Sequence, residues 1–256
     1  AGHNGSGLSI CDDGIVIDLS GIKYTRVDAT NDTIRVGAGN IWEEVDKATS
    51  AFCRAVPSGI VSLTGVSGLT LGGGHGYITR KHGLTIDSLI EADVVLADGS
   101  YITASEEKNS DVFWAIRGGG GNFGIITSFL FKMVPVHDVY CGPMFWDLKD
   151  LNKSIVWFDD FIKSTRNDLY GFYLIQTVPP APPFPEELQL KKICGIMWCY
   201  CGPKESYEEA FAPIKKFTSE TPPIMDGTHW STYAELNAAF NGLYPSGDQW
   251  YWKGDY

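Results

Sequence analysis

Two glycine-dense stretches, "GVSGLTLGGGHG" (65–76) and "GGGGNFG" (118–124), limit what this chain can fold into more than any other feature. Glycine costs about 1 kcal/mol per position in a helix and gives a strand interior nothing to pack, so each stretch reads as a loop between regular elements. With no side chain in the way, main-chain N–H groups can approach whatever lies against such a loop. Where they converge they form an anion-binding nest that suits a pyrophosphate. A third run, "GHNGSG" (2–7), has the same texture with one imidazole in it. One such loop would be an ordinary turn of a β-rich protein; three in one half of the chain point to a shared ligand.

The elements around the loops follow from pattern. "GIVIDLS" (14–20) reads as a short buried strand, and "YTRVDATNDTIRVGAG" as a hairpin turning at Asn31-Asp32. Asn40 is placed to cap a helix from Ile41 to about Phe52, with Trp42, Val45 and Ala48 on one face. Residues 55–87 show no sustained period, and so long a loop in a compact domain is usually functional. "SLIEADVVLADGSYITAS" reads as two strands around Asp98-Gly99. "SDVFWAIRGG" reads as a helix capped by Ser110 that runs into the second glycine loop and a further strand. After Pro135 glycine thins and aromatics rise, strand-like runs alternating with helical ones such as "KESYEEAFAPIKKF", around a proline-rich loop at 179–187. The expectation is an α+β chain of two domains, 1–136 around the glycine loops and 137–256 rich in aromatics. Tyr170, Tyr173, Trp198 and Tyr200 are candidates for a substrate wall in the second, with sheet core as the plainer reading.

Charge and motif spacing exclude several classes. With 31 acids against 20 bases the net charge is −11, and no dense Lys/Arg patch exists to meet nucleic acid or an anionic membrane. No run reaches the roughly 18 apolar residues that a membrane helix needs. The six cysteines form no CxxC pair and read as scattered core thiols, with no metal site. There is no GxxxxGK[ST] P-loop and no strand–GxGxxG–helix unit of the Rossmann kind. The default setting is a soluble, cytoplasmic protein, with the compartment and oligomeric state open.

Three segments together carry a resemblance: "GHNGSGLS", "VPSGIVSLTGVSGLTLGGGHGYITRKHGLTIDSLIEADVVLADG" and "DVFWAIRGGGGNFGIITSF". In order, over residues 1 to about 136, they resemble the FAD-linked oxidases of the berberine-bridge-enzyme-like group, in the vanillyl-alcohol-oxidase superfamily. The second half is similar more loosely, through "CYCGPKESYEEAFAPIKKF" and "YAELNAAFNGLYPSGDQWYWKGDY". The resemblance implies a PCMH-type FAD-binding domain of mixed and antiparallel sheets with flanking helices. A partial substrate domain with an antiparallel sheet and helices would follow. It also implies an internal fragment, since the group's motif begins ahead of Gly2 and its chain runs on past the equivalent of Tyr256.

Site residues follow from the resemblance position by position. Gly2, His3 and Asn4 match the end of the loop that meets the FAD pyrophosphate, with His3 as the covalent flavin attachment. Many members add a cysteinyl link; Val61 stands at that position, so no second bond is expected. Ser62, Leu63, Thr64, Gly65 and Val66 match the segment beside the flavin ring, with Thr64 facing the carbon that meets oxygen. Gly68, Gly72, Gly73, Gly74 and Gly76 match the turns beyond it. Gly120, Gly121, Asn122, Phe123, Gly124 and Ile125 match the second FAD loop. Asp87 matches a position usually followed by Asn, here Ser88, and His75 is expected at the flavin edge or in a structural role.

The implied activity is an oxidase that passes substrate hydride to the flavin and electrons on to O2, giving H2O2. The substrate would be a small molecule: a sugar, alcohol, alkaloid or aromatic compound. A flavin dehydrogenase with another acceptor, or a flavin-binding member without catalysis, would share every motif quoted. The group's usual tyrosine base has no counterpart in the matched segments, so no catalytic base is assigned.

Overall fold

A computed structural model describes residues 2–180 and 184–242. The chain divides into two units. One takes it up to His137 and resumes at Tyr233; the other is Asp138–Thr232.

The first unit is built on five antiparallel strands: β1 (Thr25–Asp28), β2 (Thr33–Gly37), β3 (Leu89–Val95), β4 (Tyr101–Ser105) and β5 (Ile125–Lys132), in the order β1-β2-β5-β3-β4. The pleat sorts its residues by face. Ile34 lies opposite Phe131, and Val36 and Ala92 flank Phe129, all four fully buried beside Phe131. On the other face Arg35 pairs with Glu91, with Asp93 at 3.0 Å, and donates to Ser128 at 2.9 Å, a polar band across three strands. The buried face is covered by α1 (Trp42–Ser50), whose Trp42 ring lies 5.8 Å from that of Phe131. The hairpin turns where the sequence places it, Asp28 accepting from the N–H groups of Thr30 and Asn31.

Four expectations for this unit change. Residues 14–20 form no strand: Ile15 is 88% exposed, and an apolar run becomes a strand only where a neighbouring strand offers a ladder. The cap of α1 is Ile41, not Asn40, whose side chain accepts from Tyr24 N–H and donates to Glu44, while Glu44 accepts from Ile41 N–H at 2.9 Å. Asn109, at φ 47°, precedes the helix α4 (Ser110–Ile116), so Ser110 is helical instead of capping. The long loop holds two short helices, α2 (Val66–Leu71) and α3 (Thr79–His82), and a 3-10 turn at Thr85–Ser88.

In the second unit, β6 (Asp138–Asp147), β7 (Leu169–Thr177), β8 (Lys192–Tyr200) and β10 (His229–Thr232) form an antiparallel sheet ordered β10-β6-β8-β7, with β9 (Met225–Asp226) also on β6. Helices α5 (Leu151–Ser164) and α6 (Tyr207–Glu220) cover one face. The fold class is α+β, as expected. The aromatic texture is mostly core: Trp198 and Tyr200 are fully buried, Trp157 stacks on Phe217 at 4.2 Å, and the Tyr173 hydroxyl bonds Ser154 at 2.6 Å. These side chains pack under the helices, so the substrate-wall reading fails for Trp198 and Tyr200. All six cysteines are free; Cys11 and Cys53 are exposed, and only the other four are core thiols. Part of the proline-rich stretch, and residues 243–256, lie outside the described residues.

The two units part between His137 and Asp138, and the second ends at Thr232. Helix α7 (Tyr233–Ala238) belongs to the first unit, because its polar face bonds α1 and the loop after it: Asn237 donates to Asp46 and Ser58, and Tyr233 N–H to His137 O. No helix among the described residues is long and apolar enough to cross a membrane.

Phe131→Ala removes a fully buried ring that touches both Trp42 and Phe129, and should cost about 3–5 kcal/mol of unfolding free energy. Denaturant titration checks this; a cost under about 1 kcal/mol would show that the sheet does not carry the core.

Candidate functional site

The first glycine loop is held by the start of α1. Trp42 N–H donates to Thr64 O at 3.0 Å and Glu43 N–H to Ser62 O at 2.8 Å, so two of the N–H groups a helix leaves unpaired at its start are satisfied by the loop. Val66 N–H reaches Asn40 O, and Ser67 Oγ donates to Ala38 O at 2.7 Å. Ser62 is buried, its N–H bonded to Asn237 O and its hydroxyl paired with Asn241. With the main chain tied on one side, Leu63 is left exposed and Val61, Thr64 and Gly65 half-buried.

Beyond α2 the chain turns through Gly73 and Gly74, at φ 105° and 78°. The carbonyls of these two glycines accept from Ile86 N–H and Thr85 N–H, which folds the 3-10 turn back over the loop. The second loop follows Arg117, with Gly118 and Gly120 at φ 103° and 70° and a 3-10 turn over Gly120–Phe123. Asn122 donates to Gly119 O at 3.0 Å, Phe123 is 43% exposed, and Gly124 leads into Ile125 at the start of β5. Helix α2 packs against this 3-10 turn, so the two loops, far apart in sequence, meet. Arg117 lies over the Phe113 ring and reaches Asp87 at 3.4 Å, which joins the second loop to the turn of the first, next to buried Ser88.

The glycines divide into two kinds. A Cβ on Gly74 would lie 2.3 Å from Thr85 Oγ1, and one on Gly76 would lie 1.9 Å from Ser58 O, so the protein itself requires glycine there. Around Gly2, Gly68, Gly120 and Gly121 a Cβ would meet nothing within 4 Å. The bare backbone therefore faces open space at α2 and the 3-10 turn, where the two loops touch. Buried polar atoms collect in the same region. The hydroxyls of Thr70 and Thr85 and Nε2 of His82 have no hydrogen-bond partner, a state that costs about 1–3 kcal/mol each unless something outside the protein completes it. Burial, with Lys81 nearby, pushes the His82 imidazole down to about 4, and burial also lowers that of His75, so both rings are neutral donors or acceptors near pH 7. Neutral rings, orphaned hydroxyls and open main chain fit a large polar ligand carrying phosphates, as FAD does.

The Gly2-His3-Asn4 stretch is separate in its bonding. Gly2 has φ 73°, His3 is exposed, and Asn4 closes a turn by accepting from Gly7 N–H at 3.1 Å and, through Oδ1, from Leu8 N–H at 3.0 Å. Among the described residues no hydrogen bond joins it to the glycine loops. Pattern reading passed over Thr70, Thr85 and His82, which carry no signature beyond lying inside the long loop. It also passed over Ser58, Asn237 and Asn241, whose bonds to the loop depend on the return of α7.

The comparisons agree with this geometry. Residues 1–105 match the FAD binding domain family. The chain is 32% identical over 250 residues to an FAD-linked oxidoreductase of Dictyostelium discoideum, covering 97% of this chain and 52% of that protein. Among solved structures, 6-hydroxy-D-nicotine oxidase from Arthrobacter nicotinovorans superposes with a TM-score of 0.84 at 24% identity, over 97% of this chain and 53% of that one, which shows the shared fold. Berberine-bridge-enzyme-like protein 1 of Physcomitrella patens gives 0.71 at 26% identity, over 90% of this chain and 47% of that one. The chain thus spans about half the length of the relatives it matches. With its FAD binding domain match over residues 1–105, its glycine loops and this fold, the chain is similar to FAD-linked oxidoreductases and to berberine-bridge-enzyme-like proteins.

Proposed function

We propose that this chain forms the flavin-holding part of an oxidase in which a substrate hydride is taken up and the electrons pass to O2. The observation that carries the reading is the meeting of two glycine loops whose main chain is open where they touch. FAD, when bound, supplies a two-electron acceptor, chemistry that no side chain can offer. The chain's own residues bind and orient it. Gly68, Gly120 and Gly121 let main-chain groups approach the phosphates and ribityl chain. Ser62, Leu63, Thr64 and Gly65 run beside the ring, held from behind by α1. Gly72, Gly74 and Gly76 shape the turn that sets this segment, Gly74 and Gly76 through their own packing. Asn122, Phe123, Gly124 and Ile125 complete the second loop.

His3 provides an exposed imidazole for a covalent link, and Val61 leaves that link single. Thr64, small and half-buried, leaves room for oxygen beside the ring. The substrate is a small organic molecule with a C–H bond that gives up hydride: a sugar, an alcohol, an alkaloid or an aromatic compound.

Two measurements test the reading. In the first, the purified protein is precipitated with acid. Yellow colour that stays in the pellet, and leaves it in His3→Ala, is the expected result; colour released from the wild type would remove the covalent link, and no colour at all would remove the flavin. In the second, Gly121→Leu is compared with Gly76→Ala. A Cβ added at Gly121 would meet no protein atom within 4 Å, so the fold should change by no more than about 1 kcal/mol while flavin occupancy drops. Gly76→Ala should instead cost about 3 kcal/mol of stability. Full flavin occupancy in Gly121→Leu would place the cofactor elsewhere.

A further inference from the structure

Inside the first unit lies a buried polar cluster formed by side chains outside the two glycine stretches. It consists of Asp46 on α1, Ser58 on the segment leading into the first glycine loop, and Tyr233 and Asn237 on α7. All four are buried, Ser58 and Asn237 completely. Asn237 Nδ2 donates one hydrogen to Asp46 Oδ2 at 3.0 Å and the other to Ser58 Oγ at 2.7 Å. The Ser58 and Tyr233 hydroxyls share a bond of 2.9 Å, and Ser58 N–H donates to Tyr233 OH at 3.3 Å. From the same helix, Asn237 O accepts Ser62 N–H at 2.9 Å. The cluster therefore holds the loop at both ends of 58–62.

Two atoms in it are unmatched: Asp46 Oδ1 and Asn237 Oδ1. Both are acceptors, and both hydrogens of the Asn237 amide are already used. What the cluster lacks is a hydrogen, and the acid form of Asp46 carries one. Among the described residues no cation acts on Asp46. The titratable group whose charge reaches Asp46 is Glu43, an acid on its own helix; Tyr233, across on α7, in turn feels the charge of Asp46, which helps to hold its phenol neutral.

We propose that Asp46 is a positioning residue, held as the neutral acid, that acts through Asn237 and Ser58 to fix the 58–64 segment against α7. Resting on the functional reading above, this makes it the residue that sets where the segment beside the flavin ring lies. Burial first, then Glu43, pushes its carboxyl up to about 7, against the pull of the Asn237 bond. Because the unfolded acid ionises near 3.8, the folded state keeps a proton that the unfolded state has lost between there and about 7. Stability thus falls as pH rises through that window and levels off above it. Once Asp46 ionises, an uncompensated charge sits inside the cluster and the segment loosens.

The experiment is amide hydrogen exchange on the whole protein from pH 5.5 to 8.5, corrected for intrinsic exchange and read over residues 58–64. Wild type is expected to lose protection as pH rises from 5.5 and to level off above about 7. Asp46→Asn, which cannot ionise and carries hydrogens to donate, should keep its protection across the range. Equal pH dependence in both proteins would overturn the proposal, and so would a wild type whose protection shows no such fall and plateau between pH 5.5 and 8.5, a reading that stands even if the variant fails to fold. In parallel, the absorbance band of bound flavin, which reads the folded state, should shift with a midpoint near 7 in wild type and stay constant in Asp46→Asn. A protein without flavin that still shows the exchange difference would end the flavin reading and leave Asp46 its positioning role. Bound flavin with no exchange difference would do the reverse.

Discussion

Helix α1 begins on the glycine loop, and much of the first unit depends on that. A helix start leaves N–H groups unpaired, and here the carbonyls of Ser62 and Thr64 take two of them. That exchange turns a glycine-rich segment with few side chains of its own into a fixed edge. The helix itself is anchored through Trp42 and Val45 on the sheet, so the loop inherits the rigidity of the core without being buried in it. On its free side Leu63 and Thr64 remain accessible. A cofactor segment needs both conditions, and the fold meets them with main-chain bonds.

The glycines have two separate physical jobs. Gly74 and Gly76 exist because protein atoms occupy the space of a side chain; they bring Thr85 and Ser58 close to the loop. Gly68, Gly120 and Gly121 exist beside open space, and there the missing side chain exposes backbone. The first kind makes the loop's shape, and the second leaves its surface free for a ligand. Three neutral polar groups, Thr70, Thr85 and His82, each keep a buried atom without a hydrogen-bond partner in the long loop.

Reading along the chain worked where information is local. The hairpin at Asn31-Asp32, the Asp98-Gly99 turn and the strand after the second glycine loop all depend on residues a few positions apart. It failed at "GIVIDLS", where an apolar pattern had no neighbouring strand, and at Asn40, whose amide bonds to Tyr24 instead of capping α1. It left Trp198 and Tyr200 open between a substrate wall and sheet core, the plainer reading, which two covering helices decide, because strand alternation says which residues share a face and not which face is covered.

By itself the sequence determined the presence of the two glycine loops, since runs of glycine at 65–76 and 118–124 leave the backbone few alternatives, and it carried enough ordered motif to match the FAD binding domain family over residues 1–105. Only the tertiary structure decided which glycines face open space and that α2 meets the second loop. It also decided that α7 returns to the first unit to bury Asp46 beside Asn237. The physical reason is range. Backbone conformation is set by near neighbours in the chain. Burial, and with it the protonation of a carboxyl, is set by segments that become neighbours only on folding.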